Sequence, residues 1–194
     1  RLPFWHGDQL GRPAELGAAV GGFVREVGGL GRAAAHARLA EAGLDEWARD
    51  NLLAYLDEQR TATGHLPDDR TIVVERFRDE IGDWRVCVLS PFGTPVHAPW
   101  SMAIERRLVE RYELPVETMY GEDGIVIRLP EAITELDPSD FVIPPDEIRE
   151  LIVGTLPQTA LFAARFRECA GRALLLPRRR PHQRTPLWQQ RQRA

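Results

Sequence analysis

The 194-residue chain contains no lysine, because all 25 of its basic side chains are arginine. A P-loop nucleotide site needs a lysine that reaches the β- and γ-phosphates, so this chain has no Walker-type ATPase site of its own. Schiff-base chemistry and lysine acid/base catalysis are excluded for the same reason. Any contact with phosphate must therefore come from arginine, a backbone amide or a neutral polar group.

Cysteine and long apolar runs are also scarce. The two cysteines, Cys87 and Cys169, form neither a CxxC pair nor a disulfide framework, which is typical of a reducing cytosol. No apolar run approaches the ~20 residues that span a bilayer, and no signal-peptide pattern opens the chain. We therefore predict a cytoplasmic protein that does not enter the membrane. The apolar content of 43% is ample for a hydrophobic core.

Charge is divided between two regions of opposite sign. Residues 178–194 contain six arginines and no acid, whereas the preceding part has 19 arginines against 29 acids. The tail thus carries +6 and the rest −10, which together make the formal net charge of −4. The chain begins at Arg1 rather than methionine and ends in a predicted amphipathic helix from Pro186, so we expect a piece of a larger protein.

Hydrophobic periodicity predicts an α+β fold with an N-terminal helical cluster, antiparallel β-hairpins around a helix, and C-terminal helices. Helices are predicted at about 13–27, 31–42, 45–61, 99–112 (opened by Pro99), 145–153 and from 159. The hairpins pair 71–78 with 84–90 and 116–120 with 124–129. We divide residues 1–177 into a helical part, 1–65, and an α+β part, 70–177, which a basic tail at 178–194 follows.

Several positions predict particular contacts. Gly17 and Gly21 lie one turn apart on one helix face, and each costs roughly 1 kcal/mol relative to alanine, so we expect another helix or a backbone to approach closely. Asp45 is predicted to cap the third helix. Trp47 and Trp100 lie on apolar helix faces and are predicted to be core residues, and Tyr55 is placed on the mostly apolar face of the third helix.

No catalytic or metal-binding constellation can be identified. His6, Asp8 and His36 could be imagined as metal ligands, but their spacing matches no known site. The GxSxG motif is absent, and Glu122 with Asp123 between glycines indicates a hairpin tip rather than paired catalytic acids. We predict no catalytic residue and no metal site, and a hydrolase that uses the histidines and acids stays open as an alternative.

Arginines and one tryptophan are candidates for binding nucleic acid. The tail combines arginines with prolines that hold it extended, a composition suited to phosphates. Arg76 and Arg78 on one strand face, with Arg85 across the hairpin, are predicted to extend this basic surface. Trp5, in the segment LPFWHGD, is a candidate to stack on a base. The predicted binding residues are Trp5, His6, Arg76, Arg78, Arg85, Arg178, Arg179, Arg180 and Arg184.

Each of these candidates has an alternative interpretation. The acidic stretch 131–150, with seven acids and one arginine, could neutralise the tail within the fold. The hairpin arginines could pair with Glu75, Asp79 and Asp83. Trp5 could be a core residue, which is the commoner environment of tryptophan.

Several long blocks make the chain resemble the Lhr family of large helicase-related proteins. They are TIVVERFRDEIGDWRVCVLSPFGTPVHAPWSMAIERRL, LPFWHGD before it and ALLLPRRRPHQRTPLWQQRQRA after it. The resemblance covers nearly the whole chain and corresponds to the DEAD/DEAH-associated region, which follows two RecA-like modules and a winged helix. It implies a noncatalytic nucleic-acid-binding accessory domain of an ATP-dependent superfamily 2 DNA helicase.

The resemblance also implies properties of the whole protein. Such a helicase translocates 3′ to 5′ on single-stranded DNA, unwinds duplexes including RNA:DNA hybrids and takes part in DNA repair. ATP and Mg would be bound by modules absent from this chain, so no cofactor is expected in the segment itself. The expected partners are single-stranded DNA or an RNA:DNA hybrid and the RecA-like and winged-helix domains of the same polypeptide. LPFWHGD would lie near the strand. The alternative is a module that braces the helicase through protein contacts without touching DNA.

Overall fold

The computed structural model describes residues 11–131, 133 and 136–175. The chain divides into two compact units, Arg1–Pro144 and Pro145–Ala194. The first unit contains a helical cluster and an antiparallel sheet with its own helix, and the second is helical in its described part. The predicted α+β fold is confirmed.

Three helices form the cluster: α1 (Ala14–Gly28), α2 (Arg32–Glu41) and α3 (Glu46–Thr63). As predicted, Asp45 caps α3, and its Oδ1 accepts a hydrogen bond from the Ala48 backbone N–H at 2.8 Å. The helices bury one apolar cluster, which consists of Val27, Ala35, Leu39, Leu53, Leu56 and Leu66. Burial of these side chains, at roughly 25 cal/mol per Å² of apolar surface, holds the three short helices together.

The two glycines of α1 mark the place where this helix meets the rest of the unit. A Cβ atom on Gly17 would lie 2.3 Å from the Pro91 carbonyl oxygen, and one on Gly21 would lie 2.5 Å from the Asp69 backbone nitrogen. The predicted close approach is confirmed, and backbone, rather than another helix, makes it. Any larger residue at these positions would push α1 away from the loops that flank the sheet.

The sheet contains β1 (Val73–Arg78), β2 (Trp84–Leu89), β3 (Glu117–Tyr120) and β4 (Gly124–Leu129). All pairs are antiparallel, and the order β1-β2-β4-β3 joins the two predicted hairpins through their inner strands. Alternate residues of the inner strands face the core, and these are Val86, Val88, Ile125, Ile127 and Leu129. β1 and β3 are left as the edges.

One helix, α4 (Thr94–Tyr112), connects the hairpins and packs against β3 and β4. The predicted start at Pro99 is wrong, because the helix begins five residues earlier and Pro99 lies inside it. Pro95 occupies the first turn, where proline costs no hydrogen bond, and Pro99 removes only the bond to the Pro95 carbonyl. Gly93, with φ +84°, turns the chain into the helix.

Two tryptophans predicted as core residues differ in their environments. Trp100 on α4 is half-buried, and its indole N–H donates to the Phe141 carbonyl at 3.1 Å. Trp47 on α3 is 81% exposed, and Tyr55 on the same helix is 58% exposed. The core prediction for Trp47 is therefore wrong, because α3 turns Leu53 and Leu56 toward the other helices instead.

The second unit contains α5 (Pro145–Thr155), a 3-10 turn (Leu156–Gln158) and α6 (Ala160–Arg172). Thr159 caps α6 by accepting a hydrogen bond from the Phe162 backbone N–H at 3.1 Å. Glu168 and Arg172, four residues apart on α6, form an ion pair at 2.6 Å. None of the helices in the described ranges combines the length and apolarity that crossing a membrane requires.

A buried histidine joins the start of α4 to the sheet. His97 is fully buried, with Nδ1 2.7 Å from the Gly121 carbonyl oxygen and Nε2 3.0 Å from Ser90 Oγ. Because a carbonyl can only accept, Nδ1 carries the hydrogen, and Nε2 accepts the hydrogen of the serine hydroxyl. The imidazole thus satisfies groups from two other segments of the chain.

We expect His97→Ala to lower the free energy of unfolding by about 2–4 kcal/mol, since it removes the hydrogen bonds to the Gly121 carbonyl and the buried Ser90 hydroxyl and opens a cavity. Urea denaturation followed by circular dichroism measures this loss. His65→Ala, at an exposed position, is the control and should change stability by no more than ~0.5 kcal/mol. Equal stabilities of the two variants would contradict this role of His97.

Candidate nucleic-acid interface

The structure describes three of the nine predicted binding residues, namely Arg76, Arg78 and Arg85. The other six lie outside the described residues, and they are Trp5, His6, Arg178, Arg179, Arg180 and Arg184. The three described arginines all lie in the hairpin formed by β1 and β2. Their positions in the register determine which of them can act together.

The guanidinium groups of Arg76 and Arg78 both lie over the ring of Trp84. Arg78 pairs directly with Trp84 across the hairpin, and Arg76 is two residues along the same face. The guanidinium carbons lie 5.3 Å (Arg76) and 4.3 Å (Arg78) from the centroid of the indole ring. These are cation–π distances, each worth about 0.5–1 kcal/mol at an exposed site. We call these three residues the Arg–Trp cluster.

The two arginines of this cluster differ in their other partners. Arg78 donates to the Gly82 carbonyl at 2.8 Å and lies 3.6 Å from a Glu131 carboxylate oxygen. Arg76 is exposed, and within the described part of the chain no carboxylate forms an ion pair with it. Its guanidinium edge is therefore available to an outside anion, while the indole ring limits the orientations of its plane.

Arg85 does not share this surface. It pairs with Phe77 on β1 and with Arg128 on β4, so its side chain lies on the opposite face of the sheet. Its Nε atom is 2.9 Å from Asp79 Oδ2. The alternative interpretation, pairing with a hairpin acid, is thus confirmed for Arg85. Arg85 therefore does not extend the surface that carries Arg76 and Arg78, because residues directly opposite in a sheet point to the same face.

The groups around Asp79 lower the pKa of its carboxyl group. Partial burial opposes its ionisation, but the backbone N–H groups of Ile81 and Asp83 and the Arg85 guanidinium outweigh that effect and lower its pKa. Arg85 is therefore balanced by a carboxylate that stays ionised well into the acid range. Nucleic-acid binding by Arg85 stays a prediction that this geometry does not favour.

A cleft of about 580 Å³ runs beside the edge strand β1. Its walls are the backbone and side chains of residues 71–77 and the end of α3 with the residues after it, including Thr63 and His65. Arg76 lines this cleft, and Val74 and Phe77 expose apolar surface beside it. The cleft thus combines an unpaired strand edge, apolar surface and one arginine without an ion-pair partner in the described residues.

The turn between β3 and β4 holds the first described residues of the chain. Glu122 Oε2 accepts the Arg12 backbone N–H at 2.7 Å, and Oε1 accepts the Thr94 hydroxyl hydrogen at 2.7 Å. The Thr94 hydroxyl and then the Arg12 backbone N–H are the main causes that lower the pKa of Glu122. We call Glu122, Arg12 and Thr94 the Glu122 clasp. Glu122 lies at a hairpin tip as predicted, but its role in joining three segments was missed.

Gly93 allows the segments of the clasp to approach. A Cβ atom on Gly93 would lie 2.3 Å from the Arg12 carbonyl oxygen. The Arg12 side chain adds hydrogen bonds to the Pro91 carbonyl at 3.2 Å and to the Asp123 carboxylate at 3.0 Å. No local pattern could reveal this clasp, because Arg12 and Glu122 are 110 residues apart in sequence.

The described residues contain no group of three or more histidine, cysteine, aspartate or glutamate side chains that could hold a metal ion. His36, one of the imagined ligands, has its Nε2 atom 3.0 Å from Asp50 on the neighbouring helix. His6 and Asp8 lie outside the described residues. His36 thus has a local partner on α3.

The described residues thus form an α+β domain. It contains a helical cluster and a four-stranded sheet, and the Arg–Trp cluster lies on one face of that sheet. Residues 66–194 match the family described as DEAD/H associated, and the chain belongs to that family. The resemblance to Lhr proteins is confirmed, since the chain is similar over its whole length to a segment of them.

Three curated relatives illustrate the similarity. The Lhr helicase/probable uracil glycosylase of Mycolicibacterium smegmatis is 54% identical over 195 residues, which cover 100% of this chain and 13% of that protein. The Lhr helicase/uracil glycosylase of Escherichia coli is 45% identical over 200 residues, covering 100% of this chain and 12% of the relative. The ATP-dependent helicase Lhr-Core of Methanothermobacter thermautotrophicus is 30% identical and covers 70% of this chain.

A solved structure gives the same result for the fold. The structure of Mycobacterium smegmatis helicase Lhr bound to ssDNA and AMP-PNP matches with a TM-score of 0.83 and 53% identity. The match covers 100% of this chain and 25% of that one. This chain therefore corresponds to one part of a much longer helicase chain.

The Glu122 clasp predicts a pH dependence of stability. The folded-state pKa of Glu122 lies below its usual value of 4.5, so its contribution to stability is fully present above about pH 4.5 and is lost as the pH falls through the folded pKa. We expect Glu122→Gln to be less stable than the parent chain at pH 7, with a difference that shrinks below pH 4. Urea denaturation at several pH values measures it. Glu58→Gln, an exposed position on α3, is the control, and an equal pH dependence in both variants would contradict the prediction.

Proposed function

We propose that this chain is a noncatalytic accessory domain that binds single-stranded nucleic acid for an ATP-dependent superfamily 2 DNA helicase. In this proposal the helicase moves 3′ to 5′ on single-stranded DNA, unwinds duplexes including RNA:DNA hybrids and acts in DNA repair in the cytoplasm. The observation that carries the proposal is the similarity over 100% of the chain to part of a helicase whose structure contains ssDNA and AMP-PNP.

In this proposal, ATP binding and strand binding belong to different parts of the helicase. A chain without lysine cannot supply the Walker lysine, and the resemblance to Lhr proteins implies that RecA-like modules of the same polypeptide bind ATP and Mg. This domain then contributes to the path of the strand, together with the winged helix. Its negative net charge does not oppose this role, because phosphate binding depends on where the arginines lie rather than on their total number.

Two kinds of contact would hold the strand. Trp5 would stack on a base, with His6 beside it, and arginines would contact phosphates. Among the described residues Arg76 is best placed, since it is exposed and stacked on Trp84. A guanidinium that is already oriented loses less conformational entropy when it binds phosphate. The arginines at 178, 179, 180 and 184 would add electrostatic attraction.

Trp5→Ala tests the stacking contact. We expect the variant to bind a fluorescently labelled oligothymidylate about 5- to 150-fold more weakly, because base–aromatic stacking is worth about 1–3 kcal/mol. Fluorescence anisotropy at constant salt measures the affinity. Trp47→Ala, which removes an exposed tryptophan from α3, is the matched control and should leave the affinity unchanged. Unchanged binding by Trp5→Ala would contradict stacking by Trp5.

Arg76→Gln tests the phosphate contact. Each phosphate contact to a single strand contributes about 0.7 to the slope of log K against log salt, so we expect this variant to reduce the slope by about 0.7. Arg85→Gln removes the same charge from the other face of the sheet, where Asp79 balances it, and should leave the slope unchanged. Equal slopes for both variants and the parent chain would exclude Arg76 as a phosphate ligand.

A second candidate is a bracing module that contacts other domains of the helicase. It is favoured by the exposed side chains of Trp47 and Tyr55 on α3, since tryptophan and tyrosine are enriched at protein interfaces and Trp47 is 81% exposed. Glu46 and Glu58, also exposed, flank this face, so nucleic acid is an unfavourable partner for it. Bracing and strand binding are compatible, because the two surfaces use different elements.

The bracing candidate predicts that Trp47→Ala weakens association with the RecA-like and winged-helix modules of the same polypeptide. Loss of a buried interface tryptophan costs 2 kcal/mol or more, so we expect at least a roughly 30-fold weaker Kd. Isothermal titration calorimetry measures it, with Trp5→Ala as the comparison. Full association by Trp47→Ala would exclude α3 as the docking surface.

A further inference from the structure

β1 is the longer of the two edge strands of the sheet, with six residues against four in β3. About half of its backbone N–H and C=O groups point away from β2. Within the described ranges, no other segment makes a backbone hydrogen bond to these outward groups. The strand contains no proline, and Val74 and Phe77 expose apolar surface on either side of the edge. An edge of this kind pairs readily with a further strand.

The cleft of about 580 Å³ follows this edge rather than one face of the sheet. Successive side chains of a strand point to opposite faces, yet every residue from 71 to 77 lines the cleft. This strand wall is about 20 Å long, so the volume corresponds to a mean cross-section of roughly 30 Å². That area is close to the cross-section of a single extended backbone, whereas an α-helix needs at least about 80 Å². We call this space the β1 cleft.

A second copy of this chain does not complement the edge. A two-fold axis that joins two β1 edges in one antiparallel sheet places one residue opposite itself. An axis at Glu75 sets two carboxylates opposite each other, and an axis at Arg76 sets two guanidinium groups opposite each other. An axis at Val74 leaves Arg76 opposite an apolar residue. An axis at Phe77 leaves Arg76 opposite Arg78. In none of these four registers does Arg76 meet a carboxylate.

The charges along the edge indicate a strand of different sequence. Glu75 and Arg76 are adjacent and lie on opposite faces, and neither forms an ion pair within the part of the chain that the structure describes. An antiparallel partner, followed from its N-terminus, meets Phe77, Arg76, Glu75 and Val74 in that order. The complementary order of its side chains is therefore apolar, acidic, basic, apolar. A polyanion gains little net attraction here, because Glu75 lines the cleft beside Arg76.

We propose that the β1 cleft binds an extended peptide segment of a protein partner, which adds a fifth, antiparallel strand to the sheet and presents apolar, acidic, basic and apolar residues opposite positions 77 to 74. Main-chain hydrogen bonds to β1 supply the affinity, and the ion pairs with Arg76 and Glu75 supply the specificity. This site goes beyond the proposed function. Because Arg76 is also the proposed phosphate contact, a bound peptide and a nucleic-acid strand exclude each other at this guanidinium.

Two synthetic peptides test the charge pattern. The probe is fluorescein-labelled TVEKVT, which has the complementary order, and the comparison is TVKEVT, which has the same composition with its charges exchanged. We expect TVKEVT to bind the 194-residue chain about 3- to 30-fold more weakly, because both cross-strand ion pairs become like-charge contacts. Fluorescence anisotropy in the absence of nucleic acid measures both affinities. Equal affinities, or no saturable binding of TVEKVT up to millimolar concentration, would overturn the proposal.

A charge-exchanged chain tests the same pairs from the protein side. The double variant Glu75→Arg with Arg76→Glu should reverse the preference, so that TVKEVT binds more tightly than TVEKVT. Arg165→Glu, a charge reversal on α6 outside the cleft, is the control and should keep the preference of the parent chain. A double variant that is folded by circular dichroism and still prefers TVEKVT would contradict pairing with these two residues.

N-methylated peptides test main-chain pairing on the parent chain and do not depend on whether the double variant folds. In an antiparallel pair only alternate N–H groups of a strand face its neighbour. TVEKVT methylated on one alternate pair of central nitrogens should therefore bind at least about 5-fold more weakly, while methylation of the other pair should leave the affinity within about 2-fold. Equal effects of the two methylation patterns would mean that charge alone attracts the peptide, and strand addition would be wrong.

The possible results separate this site from the proposed function. If neither peptide binds but Arg76→Gln lowers the salt dependence of oligothymidylate binding, the proposed function stands and the strand-addition site is wrong. If the peptides bind with the expected preference while Arg76→Gln leaves that salt dependence unchanged, the peptide site stands and the phosphate contact of Arg76 is wrong. If both hold, unlabelled oligothymidylate should displace TVEKVT, and simultaneous binding of the two would contradict their exclusion at Arg76.

Discussion

The hydrogen-bonded imidazole of His97 is the interaction on which the surrounding structure depends. It fills the junction between the first turns of α4, the end of β2 and the β3–β4 turn, and it satisfies one acceptor and one donor there. Because this turn is fixed, Glu122 can hold both Thr94 and the beginning of the described chain. A fully buried histidine thus organises contacts that reach the first described residues of the chain.

Charged side chains on the two faces of the sheet also differ in their partners. Arg76 and Arg78 stack on Trp84 on one face, whereas Arg85 and Arg128 pair with carboxylates on the other. In the proposed function, the exposed Arg76 on one face would give an acidic chain a local contact for phosphate, while the arginines of the other face are paired with carboxylates. The relevant quantity is the potential at this edge of the sheet, which screening by salt limits to a Debye length of about 8–10 Å.

Local patterns correctly predicted most elements of the fold. The Asp45 cap, the strand alternation of both hairpins and the close approach at Gly17 and Gly21 depend on near neighbours or on steric limits of a single residue type. The misassigned start of α4 has a physical reason as well. Pro99 satisfies the local rule for a first helical residue, but Gly93 and Pro95 begin the helix earlier, where Thr94 and His97 reach distant partners.

The candidate site was predictable only in part. Sequence identified arginines, a tryptophan that is a candidate for stacking and the absence of a Walker lysine, and the family resemblance related them to single-stranded DNA. It could not assign Arg85 to a face or Trp47 to the surface, because strand register and helix rotation are set by packing between elements. The clasp between Arg12 and Glu122 spans 110 residues, a distance over which no periodicity carries information. The sequence by itself determined most elements, the lack of a Walker lysine and the available chemical groups, since these follow from residue type and local geometry. Only the tertiary structure decided which groups meet, because burial and hydrogen-bond satisfaction act on the whole fold at once.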